Sequence, residues 1–119
     1  MQANLLNINP GLIKVSQATD LISENIEKND FEILDVRTAE EYKEGCINKL
    51  ANNIDYYSQN FVNELDKLDK EKTYLVYCRS GRRSSETVKL MQQKGFESIY
   101  DLDGGIKNWI NFGNRIEQC

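Results

Sequence analysis

The sequence predicts an α/β domain built on a parallel sheet with helices on both faces. Three observations carry that prediction. Short β-prone runs alternate with amphipathic helical stretches, the connections between them are short, and the run Tyr74-Leu75-Val76-Tyr77 is uncharged throughout, the pattern of a strand buried on both faces. Strand–helix–strand units of this kind cross over right-handedly and lay their strands parallel. The 119 residues are expected to form one domain with its core at about 12–112.

Residues 1–11 lack periodicity and contain the turn signal Pro10-Gly11, so an irregular arm is expected there. Residues 12–15 read as a short strand. A helix follows to about residue 28, with Ser16 as its N-cap and Ala18, Leu21, Ile22 and Ile26 as its apolar stripe. Residues 31–36 read as the next strand, which delivers Asp35 to its C-terminal end, where ligands collect in open parallel sheets. Thr38-Ala39-Glu40-Glu41 fits a capping box for a short helix that Gly45 stops. Residues 50–54 read as a third strand, weakened by two asparagines. Phe61, Val62, Leu65 and Leu68 place a stripe on a helix over about 58–68, and the charged stretch 66–72 reads as a solvated helix end and loop.

After the 74–77 strand, Ser84, Val88 and Met91 recur at helical spacing and Gly95 supplies a stop. Residues 98–102 read as the last strand. Asp103-Gly104-Gly105 turns the chain into a final helix marked by Ile106, Trp109 and Ile110, with Trp109 in the core.

The chemistry is expected at the elbow between the 74–77 strand and the helix that follows it. Cys78 ends the strand, and only residues 78–83 separate it from the helix. Main-chain N–H groups of Arg79 to Ser84 have no partner in the strand or the first helical turn, so a tight loop turns them inward as a nest for an anion. The helix dipole adds about half a positive charge at the same point and favours a thiolate. A lone cysteine at a strand end reads as a small hydrophobe. Gly81 with Arg79, Arg82 and Arg83 in the next five residues points instead to a nucleophile whose partner is a small anion. Ser84 reads either as a hydroxyl that orients the loop or as the helix N-cap.

Composition excludes other chemistries. A net charge of −4 argues against nucleic-acid and acidic-membrane partners, and no apolar run approaches the ~20 residues of a membrane span. The first residues lack a basic region followed by a long apolar one, which reads as cytoplasmic. Three cysteines, at 46, 78 and 119, are an odd number at wide spacing, which suits a reducing compartment without a disulfide framework. There is no histidine, which removes Ser-His-Asp and Cys-His catalysis; no Cys-x-x-Cys occurs either, so no structural zinc site is expected.

Cys78-Arg79-Ser80-Gly81-Arg82-Arg83-Ser84 resembles the active-site loop of single-domain rhodanese-like sulfurtransferases. Ile33-Leu34-Asp35-Val36-Arg37 with Glu40-Glu41-Tyr42 and Glu44-Gly45 resembles the family's first marker. Leu50-Ala51-Asn52-Asn53-Ile54 resembles the second, and the stretch from Gly95 to Trp109 the third. The likeness covers about residues 16–109. It implies a three-layer α/β/α domain with five central strands, mostly parallel, and the loop at the C-terminal edge of the sheet. It implies a sulfurtransferase without a cofactor. Cys78 would carry sulfane sulfur as a persulfide from thiosulfate or a similar anionic donor to cyanide or a thiol, a thioredoxin-like protein among the candidate acceptors. Arg79, Ser80, Gly81, Arg82, Arg83 and Ser84 would bind the donor, and Asp35 and Arg37 would form a supporting ion pair.

Two departures stand out. Cys46 occupies the position after Glu-Gly where the family usually has histidine, and the proline that commonly follows is missing. Cys46 is expected to be buried, with a resolving thiol for Cys78 as the alternative, and Cys119 to be a bystander at a frayed end. Cysteine phosphatases and arsenate reductases of similar fold place an arginine six positions after the nucleophile, where this chain has Ser84; the shorter ring suits sulfur better than phosphate. The remaining rival is a non-catalytic module for protein binding or redox sensing, against which the intact cysteine and arginine-rich loop argue.

Overall fold

The computed structural model describes residues 11–119. Along them run β1 (Gly11–Ile13), α1 (Val15–Asn25), β2 (Phe31–Asp35), α2 (Ala39–Glu44) and β3 (Asn52–Asn53). Then come α3 (Phe61–Asp66), β4 (Thr73–Tyr77), α4 (Arg82–Gln93), β5 (Ile99–Leu102) and α5 (Gly105–Asn111). The strands make one sheet in the order β1-β5-β4-β2-β3, and every neighbouring pair is parallel. The predicted α/β class and five-stranded sheet are therefore present, with the sheet parallel throughout.

β4 lies at the centre, and its residues Tyr74 to Tyr77 are fully buried, as an uncharged run requires. Side-chain alternation divides the core. Leu75, Tyr77, Ile33, Tyr100 and Leu102 pack on one face against Val15, Ala18 and Leu21 of α1 and Ile106 and Trp109 of α5. Tyr74, Val76, Cys78, Leu34 and Ile99 pack on the other against Phe61 and Leu65 of α3 and Val88 and Met91 of α4. The ends of β2, β4 and β5 thus bring Asp35, Cys78 and Asp103 to one edge of the sheet.

Several boundaries differ from the expectation for local reasons. α1 begins at Val15 rather than after Ser16, because the Lys14 amide is capped by Gln17 Oε1 at 2.9 Å. β3 shrinks to two residues; Asn53 Nδ2 instead bonds the carbonyls of Asp35 and Arg37 and ties the edge by side chain. α4 begins at Arg82 with Gly81 as its N-cap, so Ser84 stands inside the first turn and is not the cap. Of the expected irregular arm, residues 1–10 lie outside the described residues, and Gly11 belongs to β1. Among the described residues no helix is long and apolar enough to cross a membrane.

The C-terminus departs most. Cys46 and Glu117 pair as an antiparallel bridge, with N–H to carbonyl distances of 3.0 and 2.7 Å, and Glu117 Oε1 accepts from the Lys49 amide at 2.7 Å. This return of the chain brings Cys119 to Cys46, and the two are joined in a disulfide with Cα atoms 6.0 Å apart. Cys119 is therefore no bystander, the end is not frayed, and an odd cysteine count did not preclude a bridge. Cys46 is buried, but its sulfur is committed to Cys119 rather than poised to resolve Cys78, the one unpaired cysteine among the described residues.

Candidate active site

The site is built where β4 hands over to α4. Gly81 adopts φ +116°, a conformation that side-chain-bearing residues rarely enter, and this reverses the chain within four residues of the strand end. The reversal aims main-chain donors at the thiol: the amides of Gly81 and Ser84 lie 3.1 and 3.3 Å from Cys78 Sγ. The loop is clamped from behind, where the Ile106 and Lys107 amides at the start of α5 donate to the carbonyls of Cys78 and Arg79 at 3.0 and 3.1 Å. Carbonyls face away and amides face the sulfur, which is what an anion nest needs.

Cys78 itself is only 1% exposed. It lines a cleft of about 310 Å³ together with Arg79, Ser80, Arg82 and Arg83 of the loop and Thr38, Glu41 and Tyr57 from elsewhere in the chain. The sulfur is thus deeply set yet reached by a cavity, with amides directed at it. A larger groove of about 530 Å³ between α3 and α4 does not include the thiol.

The three arginines are not equivalent. Arg83 makes a two-pronged ion pair with Glu41 at 2.8 and 3.0 Å, so its charge is already matched. That partnership holds the Glu41 carboxyl down to about 2, against the opposing effect of burial and with help from the Thr38 amide. Arg82 donates to the Tyr57 hydroxyl at 2.7 Å, a neutral partner that leaves its charge uncompensated. Arg79 is exposed and, among the described residues, joins no ion pair. The positive field at the cleft therefore comes from Arg79, Arg82 and the start of α4.

Ser84 sits between two functional groups. Its hydroxyl donates to Asp101 Oδ1 at 2.7 Å, with the Gly81 carbonyl a second acceptor at 3.2 Å, and its Oγ lies 3.5 Å from Cys78 Sγ. Burial, followed by the nearby charge of Asp103, pushes the Asp101 carboxyl up to about 6, although the Ser84 hydrogen bond pulls the other way.

Asp35 and Arg37 meet beside this loop rather than in it. Asp35 accepts from the Arg37 amide at 2.9 Å and from Arg37 Nη2 at 2.7 Å, and takes the Tyr77 hydroxyl at 2.5 Å. Arg37 continues to the Gly45 carbonyl at 2.7 Å, joining β2 to the end of α2. Burial raises the Tyr77 phenol well above its usual range, and the Asp35 charge adds to that. The pair has no exposed edge of note, with side-chain exposures of 5% and 0%.

Glu41, Tyr57 and Asp101 are site residues that the sequence pattern did not single out. Glu41 was absorbed by its capping box, which does form, with Thr38 Oγ1 accepting from the Glu41 amide at 3.2 Å. Asp101 carried a usable signal, an acid inside an otherwise apolar strand of four buried residues. Among the described residues no group of histidine, cysteine or acidic side chains could hold a metal ion.

Comparison with known proteins shows what the chain as a whole is similar to. The family model described as "Rhodanese-like domain" matches residues 18–112. A thiosulfate sulfurtransferase GlpE of Coxiella burnetii is 35% identical over 86 residues, covering 72% of this chain and 78% of that protein. A tRNA uridine(34) hydroxylase of Bdellovibrio bacteriovorus is 31% identical over 87 residues, spanning 71% of this chain but only 25% of that protein. A rhodanese-related protein from Thermoplasma volcanium superposes with a TM-score of 0.69 at 28% identity, over 94% of this chain and 100% of that one.

Proposed function

From membership of the rhodanese-like domain family, which the chain holds through residues 18–112, we propose that it is a sulfurtransferase working through a Cys78 persulfide. The fold alone does not assign that activity, because a similar segment also occurs inside a longer protein named as a hydroxylase. The observation that carries the reading is the convergence of the Gly81 and Ser84 amides on Cys78 Sγ, at 3.1 and 3.3 Å, in an arginine-lined cleft.

The Cys78 thiolate attacks the outer sulfur of thiosulfate. The donor's S–S bond breaks, its electron pair leaves on sulfite, and the new S–S bond makes a persulfide. Arg79 and Arg82 hold the sulfonate end of the donor, and Arg83, neutralised by Glu41, shapes the wall. An acceptor, cyanide or a thiol, then attacks the terminal sulfur and returns Cys78 as thiolate, a ping-pong sequence. The amides stabilise sulfur anions in both steps as an oxyanion hole does.

Intact-mass measurement after incubation with thiosulfate tests this. The protein should gain one sulfur atom, lose it on adding cyanide, and gain none as Cys78→Ala. No adduct from thiosulfate, polysulfide or 3-mercaptopyruvate would overturn the enzymatic reading.

A further inference from the structure

The buried carboxylate of Asp101 takes no part in the steps above, yet it stands beside the nucleophile. Asp101 is paired with Val76 in the register of β5 on β4, which sets it one strand over from Cys78. It is 5% exposed, and one hydroxyl, that of Ser84, spans the space between the two groups. We propose that Asp101 is the proton acceptor for Cys78, acting through Ser84, so that these three residues form a relay in a chain that has no histidine. The inference rests on Cys78 being the nucleophile.

The step balances with the atoms present. The Cys78 thiol faces Ser84 Oγ at 3.5 Å, and Ser84 donates to Asp101 Oδ1 at 2.7 Å. As the thiol proton moves to Ser84 Oγ, the Ser84 proton moves to Asp101; thiol plus carboxylate becomes thiolate plus carboxylic acid. The Ser84 hydroxyl then points at the sulfur, which gains it as a third donor beside the Gly81 and Ser84 amides. Asp101, now protonated, donates to Ser84 Oγ in return.

Charge accounting favours this route over loss of the proton to water. A thiolate formed beside an ionised Asp101 would put two buried anions on either side of one hydroxyl, and like charges that close cannot both ionise cheaply. The relay moves one negative charge and creates none. The groups around Asp101 agree with its role as acceptor. Asp103 on the same strand end adds negative charge that strengthens its hold on a proton. Gly11, Leu12 and Ile13 on β1 carry no ionisable group, and in α4 the first-turn Arg82 and Arg83 are directed to Tyr57 and Glu41. Lys107 on α5 is exposed. Burial already lifts the carboxyl to about 6, nearer a thiol than an ordinary aspartate stands.

Asp101 is a positioning residue in this scheme, so the test reads proton control rather than stability. The rate at which iodoacetamide, an uncharged reagent, alkylates Cys78 is measured against pH. Ser84→Ala, which keeps the Asp101 charge but removes the bridge, should react about tenfold more slowly than the parent near pH 7 and equally fast near pH 10, since one pH unit of proton affinity is tenfold. In the Asp101→Asn background, which lacks both the opposing charge and the acceptor, the same Ser84→Ala change should alter the rate by less than about twofold, and Ser84→Thr alone should restore the parent rate within about twofold. A slowing of about tenfold by Ser84→Ala that persists in folded Asp101→Asn would overturn the relay. If Asp101→Asn does not fold, parent-like alkylation of Ser84→Ala overturns it equally. Alkylation needs no sulfur donor, so failure to load sulfur would sink the sulfurtransferase reading alone, and an unchanged pH profile the relay alone.

Discussion

Gly105 presses directly on the main-chain carbonyls of Cys78 and Arg79, so closely that a Cβ at residue 105 would collide with both. Its φ of +64° is also one that other residues resist. The start of α5 is therefore the back wall of the thiol loop, and the Ile106 and Lys107 amides complete it. Gly105→Ala should push the loop forward and turn its amides off the sulfur. Sulfur loading from thiosulfate should fall at least about tenfold, with a stability loss of about 1–3 kcal/mol from the strained backbone. Parent-like loading by mass spectrometry would show that the wall can shift without moving the nest.

Glu41 links acid stability to the site. Its carboxyl falls from 4.5 in the open chain to about 2 in the fold, chiefly through Arg83, so the folded protein holds that proton less tightly than the unfolded one. The stabilisation is full above about 4.5 and is lost as pH falls toward 2. With its side chain 25% exposed, solvent screening leaves about 1–2 kcal/mol. Glu41→Gln, which keeps the Thr38 cap, should lose that amount at neutral pH. Its denaturant midpoint should also decline less between pH 4 and 2 than the parent's.

How far the sequence was legible depends on the range of the cause. β2, β4 and the elbow at Cys78 could be read because apolar runs and the Gly-Arg pattern are local signals. β3 could not be sized, because Asn53 serves two carbonyls through its side chain rather than extending the ladder. The fate of Arg83 was hidden by a partner 42 positions away, and Gly105 read as a turn because its contact with Cys78 is purely tertiary. Ser84 was placed at the right loop but one turn out, since Gly81 took the cap and left the hydroxyl to Asp101. Cys119 illustrates the same limit, as only the Glu117 bridge brings it to Cys46.

Arg37 is the balance for a buried Asp35. Hydrogen bonds and charge from Asp35 outweigh the burial that disfavours its guanidinium. Arg37→Ala would leave Asp35 with Tyr77 but no counter-charge, and removing one partner of a buried pair typically costs about 3–5 kcal/mol. The Gly45 carbonyl would lose its donor as well. Arg37→Lys cannot reproduce the fork and should recover less than half of that loss. A thermal midpoint for Arg37→Ala within a degree or two of the parent would contradict this.

The Cys46–Cys119 bridge closes a long segment, its ends 73 positions apart in the sequence. In the chain-entropy account a loop of that size is worth up to about 4 kcal/mol, and less where the unfolded chain retains structure. Non-reducing denatured protein should titrate one thiol, Cys78. Cys119→Ser should titrate two and unfold at lower denaturant, without losing Cys78 sulfur loading, because its partner lies outside the thiol cleft. Three thiols in the protein purified without reductant would show the bridge unformed.

Asp101 sets a conflict between stability and reactivity. Its carboxyl rises from 3.8 in the open chain to about 6 in the fold, so between those values the folded protein binds the proton more tightly. Stability must therefore fall as pH rises through this window, and at neutral pH the buried charge costs about 3 kcal/mol. Asn at this position can still accept from Ser84 and carries no charge. Asp101→Asn should match the parent near pH 4, exceed it by about that amount near pH 7, and lose the pH slope between, as read from urea midpoints. A variant that gains stability by losing a buried charge is what a charge retained for function rather than for folding produces. Equal urea midpoints at pH 7 would mean that Asp101 ionises in the fold without cost, and the reason for burying it beside Cys78 would have to be sought elsewhere.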